Sequence, residues 1–313
     1  MSKIAVLIPC YNEEKTVEKV VKDFLNALPE ATIYVYDNNS TDCTFEIASS
    51  IDERVVVRKE YRQGKGHVVR SMFRDIDADC YIMTDGDDTY PAEHAREMCN
   101  YILNDGYDMV IGDRLSSTYF SENKRMFHGF GNKLVRYLIN KLFKSDIKDI
   151  MTGYRAFSYD FVKMMPITSA GFEIETEMTI NALDKRFNIK EIPIQFRDRP
   201  EGSISKLNTF TDGFKVLKTI ATMFKDYKPM IFFSIISMIC LIISGISFIP
   251  ILREYLITGL VPRFPTFILS LILLVLSSIF FAIGIILDVI VKKNKQDFII
   301  RLNILSSQRR SKL

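Results

Sequence analysis

Two stretches of this chain carry no charge at all. Between Met230 and Leu252, and again between Phe264 and Leu287, there is no Asp, Glu, Lys or Arg. Each is long enough to cross a hydrocarbon core, which takes about 20 apolar residues. A pair of buried core helices is the alternative, but uncharged runs of this length are rare in soluble domains. The chain is therefore expected to be a soluble domain followed by two transmembrane helices. Lys225 and Lys228 precede the first run, and Lys292, Lys293, Lys295, Arg301, Arg309, Arg310 and Lys312 follow the second. The short connection between them holds only Arg253 and Arg263. By the excess of Lys and Arg on the cytoplasmic side, both termini are expected in the cytoplasm of a multi-pass cell-membrane protein. The expected division is a domain over 1–207, an amphipathic juxtamembrane helix over 208–228, spans over 229–252 and 265–291, an external loop over 253–264, and a basic cytoplasmic tail over 292–313.

The soluble part has room for one large domain or two smaller ones within the 313 residues. A net charge of +3 gives no argument for nucleic acid, and none is expected as a partner. The five cysteines (Cys10, Cys43, Cys80, Cys99, Cys240) form no Cys-x-x-Cys and fit a reducing compartment. Met1-Ser2-Lys3 leads straight into an apolar run, without a signal-peptide pattern.

Lys3 to Pro9 reads as a strand buried on both faces. Val17, Val20, Val21, Phe24, Leu25 and Leu28 then recur at helical spacing. Further strands are expected at Ile33–Asp37, Val55–Val57, Cys80–Thr84 and Met109–Asp113. Strands alternating with helices predict an α/β fold with a mostly parallel sheet, whose ligands bind beyond the carboxyl ends of the strands. Tyr11 to Glu13, Asp37 to Asp42 and Asp85 to Asp88 all fall at such ends. No Gly-x-Gly-x-x-Gly follows the first strand and no Walker lysine motif is present, so the usual glycine-rich nucleotide solutions are unsupported.

In Tyr81 to Pro91 an apolar run ends abruptly in acid, with Asp85 and Asp87 separated only by Gly86. In an extended chain both carboxylates face the same way. Such a pair suits Mg²⁺ carrying substrate phosphates, which takes one or two protein carboxylates. An acidic surface turn is the plainer alternative.

Pro9-x-Tyr11-Asn12-Glu13, Asp37-Asn-Asn-Ser40-Thr41-Asp42, Gly64-Lys-Gly66 and Asp85-Gly-Asp87 occur in this order. Together they resemble the successive motifs of inverting, A-fold, family-two glycosyltransferases. The branch most resembled is the polyprenyl-phosphate glycosyltransferases, both dolichyl-phosphate mannosyltransferases and bacterial undecaprenyl-phosphate glucosyltransferases. The likeness implies a nucleotide-sugar-binding domain over residues 3 to 207 and, from bacterial relatives, a homo-oligomer. It implies nucleotide-sugar contacts for Pro9, Tyr11, Glu13, Val35, Asp37, Asn38, Lys65, Asp85, Gly86, Arg114 and Lys206. Tyr36 would join Val35 at the base. Where the family often has two aspartates, this chain has Asp37-Asn38. Mg²⁺ or Mn²⁺ would sit on Asp87, with Asp88 and Thr89 as the further metal residues: Thr89 stands where the mannosyltransferases have a metal-contacting glutamine, and Asp88 is a substitute for that contact.

Asp149, Gly153 and Arg155 resemble the family's Asp-x-x-Ser-Gly-Phe-Arg segment, with Asp149 most like a catalytic carboxylate. Arg155, Glu175 and Asp87 complete the expected catalytic set, with Glu177 flanking the same pocket. A lipid phosphate acceptor is already anionic, so positioning and charge compensation suffice and no base is required. The resemblance puts Arg125 and Arg199 at the acceptor phosphate. Phe130, Leu134, Leu138 and Leu142, among Lys133, Arg136, Lys141 and Lys144, make an amphipathic basic helix that suits either a lipid bilayer surface or packing on the sheet. Leu207 to Phe224 makes a second. His67, His94 and His128 show no metal-ligand spacing.

The expected reaction is transfer of one sugar from UDP-glucose or UDP-N-acetylglucosamine to undecaprenyl phosphate or a similar polyprenyl phosphate. The alternatives are another acceptor, such as a growing polysaccharide, and a non-catalytic membrane scaffold. The chain has no tryptophan and so lacks the Gln-x-x-Arg-Trp of processive synthases.

Overall fold

A computed structural model describes residues 2–116, 126–171, 173–197, 222 and 224–310. The chain divides into two compact units, Met1–Leu217 with Leu305–Leu313, and Lys218–Ile304.

The first unit is built on one sheet of seven strands: β1 (Ile4–Cys10), β2 (Thr32–Asp37), β3 (Val55–Lys59), β4 (Cys80–Met83), β5 (Met109–Asp113), β6 (Arg155–Ser158) and β7 (Ile189–Pro193), in the order β3-β2-β1-β4-β6-β5-β7. Only β6 runs against its neighbours, so the sheet is mostly parallel, as expected. The helices between strands are α1 (Val17–Ala27), α2 (Thr44–Ser49), α3 (Lys65–Asp75), α4 (Ala95–Leu103), α5 (Met126–Phe143), α6 (Tyr159–Met164) and α7 (Ile174–Lys185). The continuous apolar runs do what two-faced burial requires. Ala5 to Ile8 of β1 and all of β4 have almost no exposed surface. Val17, Val21 and Phe24 of α1 pack with Ile8, Ile33 and Val35 in one core cluster.

Register places the functional loops. Cys10 pairs with Asp37 and Leu7 with Met83. The turns after β1, β2 and β4 therefore leave the sheet along one edge. The expected amphipathic helix is α5, but its buried face is Val135 and Ile139, while Tyr137 (58% exposed) and Leu138 (36%) face outward. One flank thus packs on the unit and another stays open. At its far end the chain returns to this unit: the Ser306 hydroxyl donates to Asp160 (3.0 Å), and Arg309 pairs with Asp79 and lies 4.5 Å over the Tyr159 ring.

The second unit is a helical hairpin of α8 (Pro229–Thr258) and of α9 (Phe264–Arg310) as far as Ile304. Each helix is long and apolar enough to cross a membrane. Both outrun the expected spans. α9 carries on through 292–310, so that part of the expected tail is helix. At 1.5 Å per residue its 47 residues extend about 70 Å. Gly259, with φ 69°, closes α8 in the left-handed conformation that favours glycine.

The hairpin is polar inside and apolar outside. Ser237, Ser244, Ser270 and Ser277 are buried, whereas Ile235, Ile246 and Ile286 are at least half exposed. The Ser237 hydroxyl donates to the Ser277 carbonyl (2.9 Å) and the Ser277 hydroxyl to the Ser237 carbonyl (3.0 Å). The Ser244 hydroxyl donates to the Ser270 carbonyl (2.7 Å). Ser237 and Ser244 are seven residues apart, as are Ser270, Ser277 and Gly284, which keeps one seam along both helices. This inversion suits a lipid solvent, where small residues and interhelical hydrogen bonds replace hydrophobic burial.

A Cβ on Gly284 would lie 3.1 Å from the Phe233 Cβ and 3.6 Å from the Met230 Cα. Gly284→Leu should therefore part the helices and cost about 1–3 kcal/mol. A lowered unfolding midpoint in detergent is expected; an unchanged midpoint contradicts the seam.

Candidate active site

The turn after β4 is held by its neighbours on every side. Gly86 has no room for a side chain, because a Cβ would lie 2.7 Å from the Cys10 sulfur. Its carbonyl accepts the buried Thr16 hydroxyl at the start of α1 (2.6 Å). Asp87 is buried, and its Oδ1 accepts the Thr89 hydroxyl (2.6 Å) and the Thr89 amide (3.3 Å). Thr89 thus orients Asp87. Asp88 sits at φ 60° and turns away: its carboxylate takes the Lys19 ammonium (2.7 Å), with Arg197 at 3.8 Å. The expectation that Asp88 serves as a substitute metal ligand is corrected accordingly, since α1 already pairs it.

Lys65 meets two acids at once. Its Nζ lies 2.5 Å from Asp85 Oδ1 and 2.6 Å from Glu175 Oε1. Burial opposes the ammonium charge, but Asp85 and Glu175 outweigh it and hold the amine above its ordinary range. Burial pushes the Glu175 carboxyl up while Lys65 pulls it back. Beneath Asp85 lies Gly153, where a Cβ would come within 2.6 Å of Asp85 Oδ2. That is the physical reason for glycine in the 149–155 segment.

The Gly153 amide donates to the Tyr90 hydroxyl (3.0 Å), and Arg114 donates to the same oxygen (3.3 Å). Burial raises the Tyr90 phenol to about 12, so it stays protonated. Arg114 in turn grips Asp149 through Nε to Oδ2 (2.7 Å) and Nη2 to Oδ1 (3.0 Å), a two-pronged pair. Its guanidinium carbon lies 5.4 Å from the Phe196 ring centre. Asp149 has only 1% of its surface exposed. Both of its carboxylate oxygens are engaged by Arg114. Glu191 of β7 fixes the backbone beneath it, accepting from the Lys148 (2.8 Å) and Asp149 (3.1 Å) amides.

Arg155 was expected among the catalytic residues, but it is entirely buried. It donates to the carbonyls of Ile150 (2.6 Å) and Thr152 (3.0 Å) and to the Thr179 hydroxyl (2.9 Å). Burial pulls its pKa down to about 10, against the pull of Glu175 and Asp149. It is a brace for the 150–152 loop. Glu177 likewise faces backbone, accepting from the Thr168 (2.9 Å) and Ser169 (2.9 Å) amides.

At the edge formed by β1 and β2, Pro9, Tyr11 and Glu13 are half-buried. Asn12, at φ 52°, ties the first turn to the second, its Oδ1 accepting from the Thr41 amide (2.8 Å). The Glu13 amide donates to the Thr44 hydroxyl (2.8 Å), and the Glu13 carbonyl starts α1 by accepting from Val17 (2.9 Å). Asp37 is buried: Oδ2 accepts from Ser40 (3.2 Å), and Oδ1 takes no hydrogen bond among the described residues. Val35 has no exposed surface and belongs to the core, which corrects its expected place against the base. Tyr36 is 2% exposed, and its hydroxyl lies 3.5 Å from Asp75. Arg125, Arg199 and Lys206 lie outside the described residues.

Among the described residues no group of three or more His, Cys, Asp or Glu is arranged to hold a metal ion. Asp85 and Asp87 offer two hard carboxylates on either side of one glycine, the donor set of a cation that takes its other ligands from phosphates. In that sense the residues fit Mg²⁺ or Mn²⁺. The contacts missing from the sequence reading (Tyr90, Glu191 and Phe196) join residues far apart in the chain, and no local motif announces them.

The family described as Glycosyl transferase family 2 matches residues 5–164, just over half of the chain. The chain is similar to the glycosyltransferase AglJ of Haloferax volcanii, 34% identical over 231 residues and covering 74% of this chain and 75% of the relative. It is also similar to a dolichyl-phosphate hexose transferase of the same organism, 30% identical over 217 residues, covering 69% of this chain and 92% of the relative. Among solved structures it is similar to glucosyl-3-phosphoglycerate synthase of Mycobacterium tuberculosis in complex with Mn²⁺, UDP and phosphoglyceric acid. That similarity has a TM-score of 0.58 at 20% identity and covers 72% of this chain and 78% of the other, a likeness of fold.

Breaking one side of a buried ion pair costs about 3–5 kcal/mol, more than removing both sides together. Arg114→Met and Asp149→Asn should each lower stability by about that much, and the double variant by less than their sum. Additive losses in a denaturant titration contradict the pair.

Proposed function

Since the chain belongs to glycosyl transferase family 2, we propose that it transfers one sugar from UDP-glucose or UDP-N-acetylglucosamine to undecaprenyl phosphate or a similar polyprenyl phosphate. The observation that carries the reading is a network of two neighbouring ion-paired clusters, Lys65 with Asp85 and Glu175, and Arg114 with Asp149, in a chain that also holds two helices of bilayer length. Such a network suits a diphosphate leaving group beside a lipid-borne acceptor. The dolichyl-phosphate hexose transferase among the relatives supports the acceptor class. The Mycobacterium tuberculosis synthase, which shares the fold, is bound to UDP and Mn²⁺.

Asp87, with Asp85 beside it, would hold Mg²⁺ or Mn²⁺. When bound, such a cation offsets the negative charge of the departing nucleoside diphosphate. Pro9, Tyr11, Glu13 and Asp37 would hold the base and ribose, where the buried Asp37 Oδ1 is one acceptor. Arg114, oriented by Asp149, supplies a fixed positive charge toward the phosphates. Lys65 holds Asp85 in place and keeps Glu175 compensated. The acceptor phosphate is an anion and attacks the anomeric carbon from the face opposite the diphosphate, with inversion. No proton has to be removed from it. Because Arg114 occupies both carboxylate oxygens of Asp149, this reading assigns Asp149 to orientation and not to proton abstraction. Arg125 and Arg199 would neutralise the acceptor phosphate, and Lys206 the donor.

The outward Tyr137 and Leu138, with Lys133 and Lys141 beside them, would rest α5 on the bilayer surface. Both termini and the catalytic unit would then be cytoplasmic, with the protein acting as a homo-oligomer. The product is a lipid-monophosphate sugar.

Purified protein with Mg²⁺ or Mn²⁺, labelled UDP-sugars and undecaprenyl phosphate should yield an acid-labile glycolipid. Chelation should abolish it. Asp87→Ala should lower turnover by about two orders of magnitude or more, the scale of losing a main charge-stabilising group. Full activity of Asp87→Ala, or no lipid product with any UDP- or GDP-sugar, contradicts the proposal.

A further inference from the structure

Asn38 stands where the resembled family often has a second aspartate, and its side chain is already spoken for. Its Nδ2 donates one hydrogen to the Glu60 carbonyl (3.0 Å) and the other to the Arg62 carbonyl (2.8 Å). Its Oδ1 accepts from the Gly64 amide (2.7 Å), with Gln63 Nε2 at 3.5 Å. The amide is 4% exposed, and both of its hydrogens are used. It fastens the 60–64 loop to the end of β2.

That loop leads into Gly64-Lys65-Gly66, and a second strap closes on the turn from the other side. The Gly66 amide donates to the Ala170 carbonyl (2.9 Å). A Cβ on Gly64, at φ 129°, would come within 2.2 Å of the Ala170 carbonyl oxygen, and one on Gly66 within 2.1 Å of the Ser169 oxygen. The two glycines are therefore required by close packing of backbone on backbone. The 167–170 segment is pinned in turn. Glu177 accepts its amides at Thr168 and Ser169 and also the Thr168 hydroxyl. Arg70 donates to the carbonyls of Ile167 (2.8 Å) and Thr168 (3.2 Å). Between the straps the Lys65 side chain reaches Asp85 and Glu175.

We infer that Asn38 and Glu177 are positioning residues that act through Lys65: they clamp the 64–66 turn from opposite sides and so set the Asp85 carboxylate. Asn38 does not read the base. An aspartate in its place would lose both donors and set a carboxylate against two carbonyl oxygens. The effect on nucleotide binding rests on the reading of the site given under Proposed function; the clamp does not.

Two measurements test this, one of them free of nucleotide. Acylation of the Lys65 amine in the full-length protein, followed by mass spectrometry of its peptide, should quicken about tenfold in Asn38→Ala and in Glu177→Gln, the scale of one or two lost hydrogen bonds. Asn38→Asp should quicken it at least as much. Rates within about twofold of wild type overturn the clamp, because uncoupled sites add within a few tenths of a kcal/mol. In calorimetric titration with UDP, Asn38→Ala and Glu177→Gln should each weaken binding about tenfold. In a Lys65→Met background neither should matter by more than about twofold. If Asn38→Ala still weakens UDP binding without Lys65, or if Asn38→Asp binds UDP as well as wild type, Asn38 touches the nucleotide and the inference falls. If wild type binds neither UDP nor GDP, the reading of the site falls, and the acylation rates still decide the clamp.

Discussion

One ammonium between two carboxylates sets the terms for the rest of this site. Burial and the nearby Asp85 charge push the Glu175 carboxyl up, and Lys65, in contact with both acids, pulls it back. Lys65 could not stay charged there without them. Each group is tolerable only because its partners are held in place. Much of the surrounding structure does that holding: Gly153 leaves room beneath Asp85, and the glycines at 64 and 66 let backbone approach backbone. The same logic repeats at Arg114 and Asp149, where the Tyr90 hydroxyl also accepts from Arg114. Buried ion pairs are weak sources of stability. On the proposed function their value is a set of charges that need not reorganise when a phosphate arrives.

The centre of the sheet was legible because β1, β4 and β5 are buried on both faces and so read as apolar runs. β6 and β7 escaped for the opposite reason. β6 is only four residues of mixed character, Arg-Ala-Phe-Ser, and β7 carries Lys190 and Glu191. Neither shows a period, and their pairing is a long-range choice. Acids at the carboxyl edge were legible from position alone. What each acid does was not. Asp88 differs from Asp87 by a left-handed backbone that turns it toward Lys19. Arg155 and Glu177 look like site residues in a motif, yet their partners are backbone groups of loops whose course no spacing reveals. A charged side chain that braces a loop and one that touches a substrate have the same local sequence signature.

The hairpin makes the same point from the other side. The absence of charge announced two helices, and the seven-residue spacing of Ser237 with Ser244 and of Ser270 with Ser277 was there to be read as their seam. In water those serines would be the exposed face. In a lipid solvent they become the interior, because the alternative is an unsatisfied hydroxyl among hydrocarbon tails. Polarity had to be read against the right solvent before the pattern meant anything.

The account stands on fixed charge, with no proton transfer from the acceptor. That is tested most directly by the pH dependence of the sugar-transfer rate at saturating donor and acceptor. Between about pH 7 and 9 the proposed acceptor, a polyprenyl phosphate, is already ionised, so the rate should be flat in wild type. Asp149→Asn should lower it without changing its shape. A rate that rises tenfold per pH unit through that window, and loses the rise in Asp149→Asn, would mean that Asp149 takes a proton after all.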